Sequence, residues 1–156
     1  MGRSGVQPSR AGFFLDDLEV GRQAETSRQV TEADIAAFAA VSGDDNPLHL
    51  DKAYAETTPF KGPIAHGMLS AAFISAVLGT QLPGPGAVYI SQSLRFKRPV
   101  RAGDQVTTRV TVETVDEAKA LVTLKTVVLV NGKTAVDGEA VVTAPRRPAE
   151  AEAGRP

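Results

Sequence analysis

The sequence contains no cysteine, and this absence removes several kinds of chemistry at once. A chain without cysteine has no disulfide framework, no thiolate metal site and no cysteine nucleophile. Histidine is also scarce: His49 and His66 are the only two, and they lack the close spacing of a zinc motif. We therefore expect no metal centre, and the lack of disulfides fits a reducing compartment.

An excess of charge of one sign and long apolar runs are missing as well. The 17 basic and 18 acidic residues give a net charge of -1, so no overall field attracts nucleic acid or a membrane surface. No apolar run approaches the ~20 residues of a membrane-spanning helix. Residues 1–11 lack the apolar stretch of a secretory signal. We expect a cytoplasmic protein without nucleic acid or membrane partners.

The length and the two ends of the chain predict a single domain. A chain of 156 residues can bury one core of ordinary size. Residues 1–12 are mostly Gly, Ser, Arg and Pro, and residues 144–156 repeat Pro, Ala, Glu and Arg. Such segments have little to bury, so we expect disordered tails there and one folded domain over residues 13–143.

The first half of the chain predicts helices. Thr31 can cap a helix, with Asp34 three residues later as a capping box, and Gly43 suits its end. Asp51 can cap a short second helix. The segment His66–Thr80 leaves almost no polar face, so it predicts a helix that is buried nearly all round.

Alternating apolar and polar residues predict strands in the second half and once before the helices. Asn131-Gly132 predicts a hairpin between the last two strands, because a type I′ turn needs positive φ at both central residues. A lone apolar helix among strands has only the sheet to bury it. We therefore predict an α+β fold, with a curled antiparallel sheet wrapped around one long buried helix. The predicted strands lie near Gln23–Val30, Val88–Lys97, Gln105–Glu113, Ala120–Val130 and Lys133–Thr143.

The loop from Ser42 to His49 holds the densest cluster of polar, reactive side chains. Pro47 fixes its own φ and restricts Asn46, so the loop is stiff. A stiff loop can hold Asp44 and His49 at a defined separation, and a carboxylate with an imidazole can hold one water and move its proton. The alternative is an ordinary turn, in which His49 only satisfies a backbone carbonyl.

A second candidate site lies where the chain enters the apolar helix. The backbone N–H of Gly67 is an unpaired donor at the positive end of that helix. It can stabilise the enolate-like oxygen that forms when a nucleophile adds to an α,β-unsaturated thioester. Alternatively, Gly67 only permits close packing.

Two further groups of residues carry a structural and a functional interpretation. Ser75 lies within the apolar helix, where serine commonly bonds to the carbonyl four residues earlier; it can instead face the site and orient a carboxylate. Arg95, Lys97 and Arg98 form a basic patch. It is either a solvated strand face or a contact for the phosphates of a nucleotide carrier.

Three blocks of the sequence together resemble a known family. Ser42–His49 resembles the hydratase 2 motif of MaoC-like, (R)-specific enoyl-CoA hydratases. Pro63–Met68 and Gln92–Phe96 resemble the companion stretches of that family. The likeness extends over residues 13–143, and its three blocks occur in the right order.

The resemblance implies a hotdog fold, and normally a homodimer whose two sheets join edge to edge. It implies that Asp44 and His49 hold the reacting water and that the Gly67 amide holds the thioester carbonyl. The family's active-site serine falls on Ser75, and Asn46 supports the loop or the water. No cofactor is implied, since CoA enters only as the carrier of the substrate.

The implied reaction is reversible syn addition of water to trans-2-enoyl-CoA, giving (R)-3-hydroxyacyl-CoA, with a link to polyhydroxyalkanoate synthesis. The alternatives are a (3R)-hydroxyacyl-ACP dehydratase, a hotdog acyl-CoA thioesterase and a non-catalytic acyl-thioester binder. The presence of both Asp44 and His49 argues against the last two. The sequence leaves open which of the two residues moves which proton.

Overall fold

A computed structural model describes residues 12–149 of the chain. A 3₁₀ turn, Leu15–Asp17, precedes the first strand. None of the helices within the described range is long and apolar enough to cross a membrane. The helices are α1 (Glu32–Ser42), α2 (Pro47–Leu50), α3 (Lys52–Glu56) and α4 (Gly67–Thr80). The strands are β1 (Gln23–Gln29), β2 (Val88–Gln92), β3 (Arg95–Phe96), β4 (Gln105–Asp116), β5 (Leu121–Val130) and β6 (Lys133–Thr143).

The six strands form one antiparallel sheet in the order β1-β4-β5-β6-β2, and β3 also pairs with β6. Strands β4, β5 and β6 follow one another as the predicted meander. The register shifts once in each of the pairs β2–β6, β4–β5 and β5–β6. Such irregularities increase the local twist and bend the strands, which allows the sheet to curl.

The hairpin between β5 and β6 forms as predicted. Asn131 has φ 50° and Gly132 has φ 78°, so both central residues adopt the positive φ that a type I′ turn needs. The turn fixes the register of β5 against β6, beginning with Val130 opposite Lys133.

The predicted helix caps are also present. The Thr31 hydroxyl accepts the Asp34 N–H at 3.1 Å, and the Asp34 carboxylate accepts the Thr31 N–H at 2.9 Å. Gly43 ends α1 in the left-handed conformation, with φ 79°. The Asp51 carboxylate accepts the Tyr54 N–H at 3.1 Å and so begins α3.

Helix α4 packs against the inner face of the sheet, but only along one side. Its buried apolar residues face the core, whereas Met68 on the other side is 54% exposed and Ala72 and Ala76 are exposed. The expected burial on all sides is not reached within the part of the chain that the structure describes, because one sheet covers only the side that it faces. The buried residues of α4 are Leu69, Ser70, Ile74, Val77 and Leu78. The sheet contributes Val106, Val110, Val112, Val122, Leu124, Val128, Val136, Ala140 and Val142 to the core.

The strand predicted over Val88–Lys97 is interrupted between β2 and β3. Its register is nevertheless kept, because Gln92 lies opposite Ala140 and Arg95 lies opposite Asp137. At the interruption the chain passes over Gly138, so closely that any side chain there would collide with the carbonyl of Ser93.

The folded part extends beyond Thr143, which corrects the predicted start of the C-terminal tail. Ala144 is buried, and the Pro145 carbonyl accepts the Leu15 N–H at 2.8 Å. Arg147 forms ion pairs with Asp16 at 3.2 Å and Asp17 at 2.7 Å. The composition of residues 144–156 did not predict these contacts, because they depend on backbone and ionic partners rather than on large apolar side chains. Residues 1–11 and 150–156, where the rest of the predicted tails fall, lie outside the described residues.

Candidate active site

The polar loop that follows α1 is held by its own side chains. The Ser42 hydroxyl donates to the Phe38 carbonyl at 2.6 Å and accepts the Asp44 N–H at 3.1 Å. One carboxylate oxygen of Asp44 accepts the Asn46 N–H at 3.2 Å. The Asn46 side chain in turn accepts the Leu48 N–H at 3.0 Å and caps α2. Asn46 therefore supports the loop, and these bonds orient the Asp44 carboxylate.

His49 lies in the short helix α2, which begins at Pro47, rather than in the loop itself. Its ring Nδ1 is 2.7 Å from the carbonyl oxygen of Ile64. A carbonyl oxygen only accepts, so Nδ1 carries the hydrogen, and in the neutral ring Nε2 keeps its lone pair. His49 thus satisfies a backbone carbonyl, as the turn interpretation expected, and still has a nitrogen that can accept a proton.

His66 lies directly against this pair. Its ring stacks on the His49 ring with centroids 3.8 Å apart, and Phe38 contacts it with centroids 4.9 Å apart. The His66 Nε2–H donates to the backbone carbonyl of Asp44 at 2.8 Å. A carboxylate oxygen of Asp44 and one ring nitrogen of each histidine lie within 4.8 Å of one another. The fold therefore brings together two histidines that are distant in sequence.

The three side chains are close enough to share a water, and two of their ring nitrogens already donate to carbonyls. Two groups up to about 5 Å apart can share one water, because each hydrogen bond spans about 2.8 Å. A metal ion would need lone pairs that converge on one point. Here Nδ1 of His49 and Nε2 of His66 already donate to carbonyls, and the stacked rings lie in planes only 28° apart. Each neutral histidine therefore keeps one ring nitrogen with a lone pair.

A cleft of about 370 Å³ lies at the start of α4 and reaches the cluster through His66, whereas Asp44 and His49 do not line it. His49 lines another cleft, of about 540 Å³. The Gly67 N–H meets no acceptor among residues 12–149, as expected for the first turn of a helix. Lys97, which pairs with Asp137 at 2.7 Å, lies at the first cleft with Arg98; Arg95 does not line it. The lining is mostly apolar, as in many ligand sites. It consists of Phe60, Ile64, Ala65, His66, Gly67, Met68, Ser70, Phe96, Lys97, Arg98, Pro99, Val100 and Val136.

The missing side chain of Gly67 makes room for a protein group. A Cβ at Gly67 would lie 2.6 Å from the Phe96 ring. Close packing therefore explains the glycine, while the free N–H remains available to a ligand. The two interpretations of Gly67 are compatible.

Ser75 faces a different cleft, of about 500 Å³, together with Phe38, Met68 and Tyr89. Its hydroxyl makes no hydrogen bond within the described range, neither back to the helix nor to a carboxylate. Because Met68 lines both this cleft and the one at the start of α4, the two are neighbours. The single chain brings Asp44, His49 and Asn46 together and leaves Ser75 apart from them.

Sequence reasoning gave no role to His66 or to the Ile64 carbonyl. One signal was available for His66, because it is one of only two histidines and directly precedes the apolar helix. Nothing in the sequence points to the Ile64 carbonyl, since any residue supplies one.

Solved structures match the whole architecture. An (R)-hydratase from Aeromonas caviae involved in PHA biosynthesis has a TM-score of 0.79 and 53% identity, covering 82% of this chain and 98% of that one. An R-hydratase from Pseudomonas aeruginosa in the unliganded form has a TM-score of 0.82 and 50% identity, covering 87% of this chain and 88% of that one. The curled sheet with α4 on its inner face is the hotdog fold of these hydratases, as predicted.

Sequence comparison defines the family. An (R)-specific enoyl-CoA hydratase from Rhodospirillum rubrum is 52% identical over 86% of this chain and 93% of its own length. A 3-hydroxybutyryl-CoA dehydratase from Methylorubrum extorquens is 43% identical over 90% of this chain and 89% of its own length. The model of the MaoC like domain matches residues 16–147, and the chain belongs to this family.

Proposed function

We propose that the chain is an (R)-specific enoyl-CoA hydratase, which adds water reversibly to trans-2-enoyl-CoA and gives (R)-3-hydroxyacyl-CoA. One observation carries this proposal: a carboxylate oxygen of Asp44 and one ring nitrogen of His49 lie within 4.8 Å of each other, while the Ile64 carbonyl accepts the Nδ1 hydrogen of His49. That spacing suits a shared water. The (R)-hydratase relatives at 52% and 53% identity support it.

The first step of the proposed reaction takes a proton from water. Asp44 accepts one hydrogen of the water and orients it, and Nε2 of His49 accepts the other. We assign the removal of the proton to His49, because its Nε2 keeps a lone pair when Nδ1 donates to the Ile64 carbonyl. The hydroxide oxygen then bonds to Cβ of the substrate, and the electron pair of the double bond moves through Cα to the thioester oxygen.

The second step returns the same proton. The His49 imidazolium donates its Nε2 hydrogen to Cα, and the enolate-like oxygen becomes a thioester carbonyl again. Because hydroxide and proton both come from the position of one water, they add to the same face of the double bond. The imidazole is regenerated, so the net reaction is the addition of H₂O.

Gly67 and the basic patch have supporting roles in this proposal. The free Gly67 N–H at the start of α4 hydrogen-bonds the developing oxyanion, where the helix dipole adds to the effect. Lys97 and Arg98, beside the same cleft, contact the phosphates of CoA, and Arg95 lies in β3, just before them. The thioester is itself the electron sink, so this reaction requires no metal, nicotinamide or flavin.

We also propose a homodimer joined through β2. Within residues 12–149, β2 pairs only with β6, so its other edge offers unpaired backbone groups. Val88 and Ile90 on this strand are 60% and 57% exposed, and the uncovered side of α4 adds Met68. A second copy would cover these apolar residues, and the Ser75 cleft lies among them.

The test is to incubate the protein with crotonyl-CoA and follow the conjugated enoyl-thioester absorbance and free thiol together. The proposed function predicts loss of the absorbance without thiol release and a 3-hydroxybutyryl product of R configuration. Thiol release would identify a thioesterase, and no change in either signal would identify a binder. Faster turnover of the same acyl group on acyl carrier protein would favour the dehydratase of that carrier. Two relatives, at 40% and 30% identity, have that carrier in their names.

A further inference from the structure

His66 is a buried polar residue that is only half satisfied. His66 is 2% exposed, and the Nδ1 of its ring has no hydrogen-bond partner within the described part of the chain. A buried nitrogen without a partner destabilises a fold relative to an apolar group of similar shape. Packing alone would therefore favour an apolar residue here, so the imidazole has another use.

The one hydrogen bond of His66 is not needed to satisfy its acceptor. The Nε2–H donates to the Asp44 carbonyl at 2.8 Å, and Asp44 is an exposed residue whose carbonyl can instead be hydrated. What the bond does provide is position: it fixes the backbone of Asp44 relative to a buried ring. The face of that ring lies against His49, with centroids 3.8 Å apart.

We infer that His66 is a positioning residue, whose Nε2–H holds Asp44 while its ring holds the plane of His49. This inference rests on the proposed function, because it assigns His66 the task of setting the distance between the two groups that share the water. Ile64 completes the arrangement, since its carbonyl holds His49 from the same segment of chain, two residues before His66. One short segment thus positions both members of the pair.

The effect of losing His66 should fall on kcat. His66 holds the groups that move protons, whereas the nucleotide and acyl chain have contacts elsewhere. A displacement of about 1 Å in a reacting group can lower the rate on the order of 10²-fold. The expected loss is smaller for a variant that keeps a donor at the position of Nε2.

The experiment compares His66→Gln with His66→Met, which have similar length and differ mainly in the terminal amide. We expect His66→Met to lower kcat for crotonyl-CoA hydration by about 10-fold or more, with KM within about 3-fold of the parent. We expect His66→Gln to recover part of that loss, because its amide can donate to Asp44 although it places no ring against His49. The variant His66→Phe keeps a ring against His49 but has no donor, so its kcat should fall below the parent by less than that of His66→Met. It serves as the donor-free variant if His66→Met does not fold.

Thr58→Val is the matched control, because it also removes one partly buried bond from a side chain to a backbone carbonyl, that of Ala55 at 2.6 Å. It should leave kcat unchanged. The inference is overturned if the donor-free variants keep kcat within 2-fold of the parent, or if His66→Gln loses as much as His66→Met. Failure of the proposed function is recognised separately, because the parent protein itself then does not hydrate crotonyl-CoA.

Discussion

At the scale of single residues, the motif predicted which side chains meet and the structure shows what orients them. Asp44, Asn46 and His49 were identifiable from their types and spacing. The Ile64 carbonyl and the buried His66 were not, because both approach from a segment that follows two further helices. The tautomer of His49 depends on such a partner, so sequence alone left the direction of proton transfer open.

Gly67 provides the first prediction. We expect Gly67→Ala to remain folded, because the Phe96 ring that it would meet at 2.6 Å is 55% exposed and can swing outward. We expect the rate of crotonyl-CoA hydration to fall about 10-fold or more. The Phe96 ring packs on the start of α4, and both border the cleft, so moving the ring changes the shape of the site.

A double-mutant cycle with Phe96→Leu tests the physical reason. The same Gly67→Ala change should lose less activity in the Phe96→Leu background, because the shorter side chain leaves room for the added methyl group. An equal loss in both backgrounds would show that contact with Phe96 is not why the position is glycine.

At the scale of elements, caps and turns were predictable because a few adjacent residues determine them. The capping box of α1 and the Asn131-Gly132 turn are local features of this kind. The surroundings of an apolar face were not predictable. Alternation identified Val88 and Ile90 as one face of a strand, but periodicity does not say what covers that face, and among residues 12–149 both side chains remain exposed.

The capping carboxylate of α1 gives a prediction with a defined pH dependence. The hydrogen bond from the Thr31 backbone, opposed by partial burial and aided by Arg28, lowers the pKa of Asp34 below its usual value of 3.8. Because the pKa of Asp34 is lowered in the folded state, the stabilisation from its ionised carboxylate is present above pH 3.8. That stabilisation is lost as the pH falls through the folded-state pKa of Asp34. We expect Asp34→Asn to lose about 0.5–1 kcal/mol of unfolding free energy at pH 7.

Urea unfolding of the parent and of Asp34→Asn at pH 7, 5 and 3 measures this difference. The difference in unfolding free energy between the parent and Asp34→Asn should be the same at pH 7 and pH 5 and should be smaller at pH 3. Glu32→Gln is the control, because Glu32 is in the same helical turn but outside the capping box. A difference in unfolding free energy that does not change with pH would rule out the charge of the Asp34 carboxylate as its cause.

At the scale of the whole molecule, the packed C-terminal segment predicts the effect of truncation. Removing all residues after Thr143 deletes buried Ala144 and the bond from the Leu15 N–H to Pro145. Together these are worth about 2 kcal/mol, so Tm should fall by about 4–8 °C. Removing only residues 150–156, which include no large apolar residue, should leave Tm unchanged. Equal melting of both truncated proteins and the full chain would contradict this.

The uncovered face of β2 and α4 predicts the oligomeric state. Light scattering at micromolar concentration should give a mass close to twice 16.3 kDa. Ile90→Glu, which places a charge on the exposed face of β2, should shift the mass toward the monomer because a buried unpaired charge opposes association. Val20→Glu is the control, since Val20 is 70% exposed but lies outside β2 and α4. A monomeric parent protein would refute the proposed dimer.

The central claim is that Asp44 and His49 act on one water, and kcat for crotonyl-CoA hydration in three variants tests it most directly. Asp44→Asn keeps size and most hydrogen bonds but removes the charge, and His49→Gln removes the titrating ring. Each should lower kcat by ~10²-fold or more, with circular dichroism confirming the fold. Because the two act as a unit, the double variant should be little worse than either single one. A folded Asp44→Asn protein with near-normal hydration would contradict the mechanism and leave the loop as an ordinary turn.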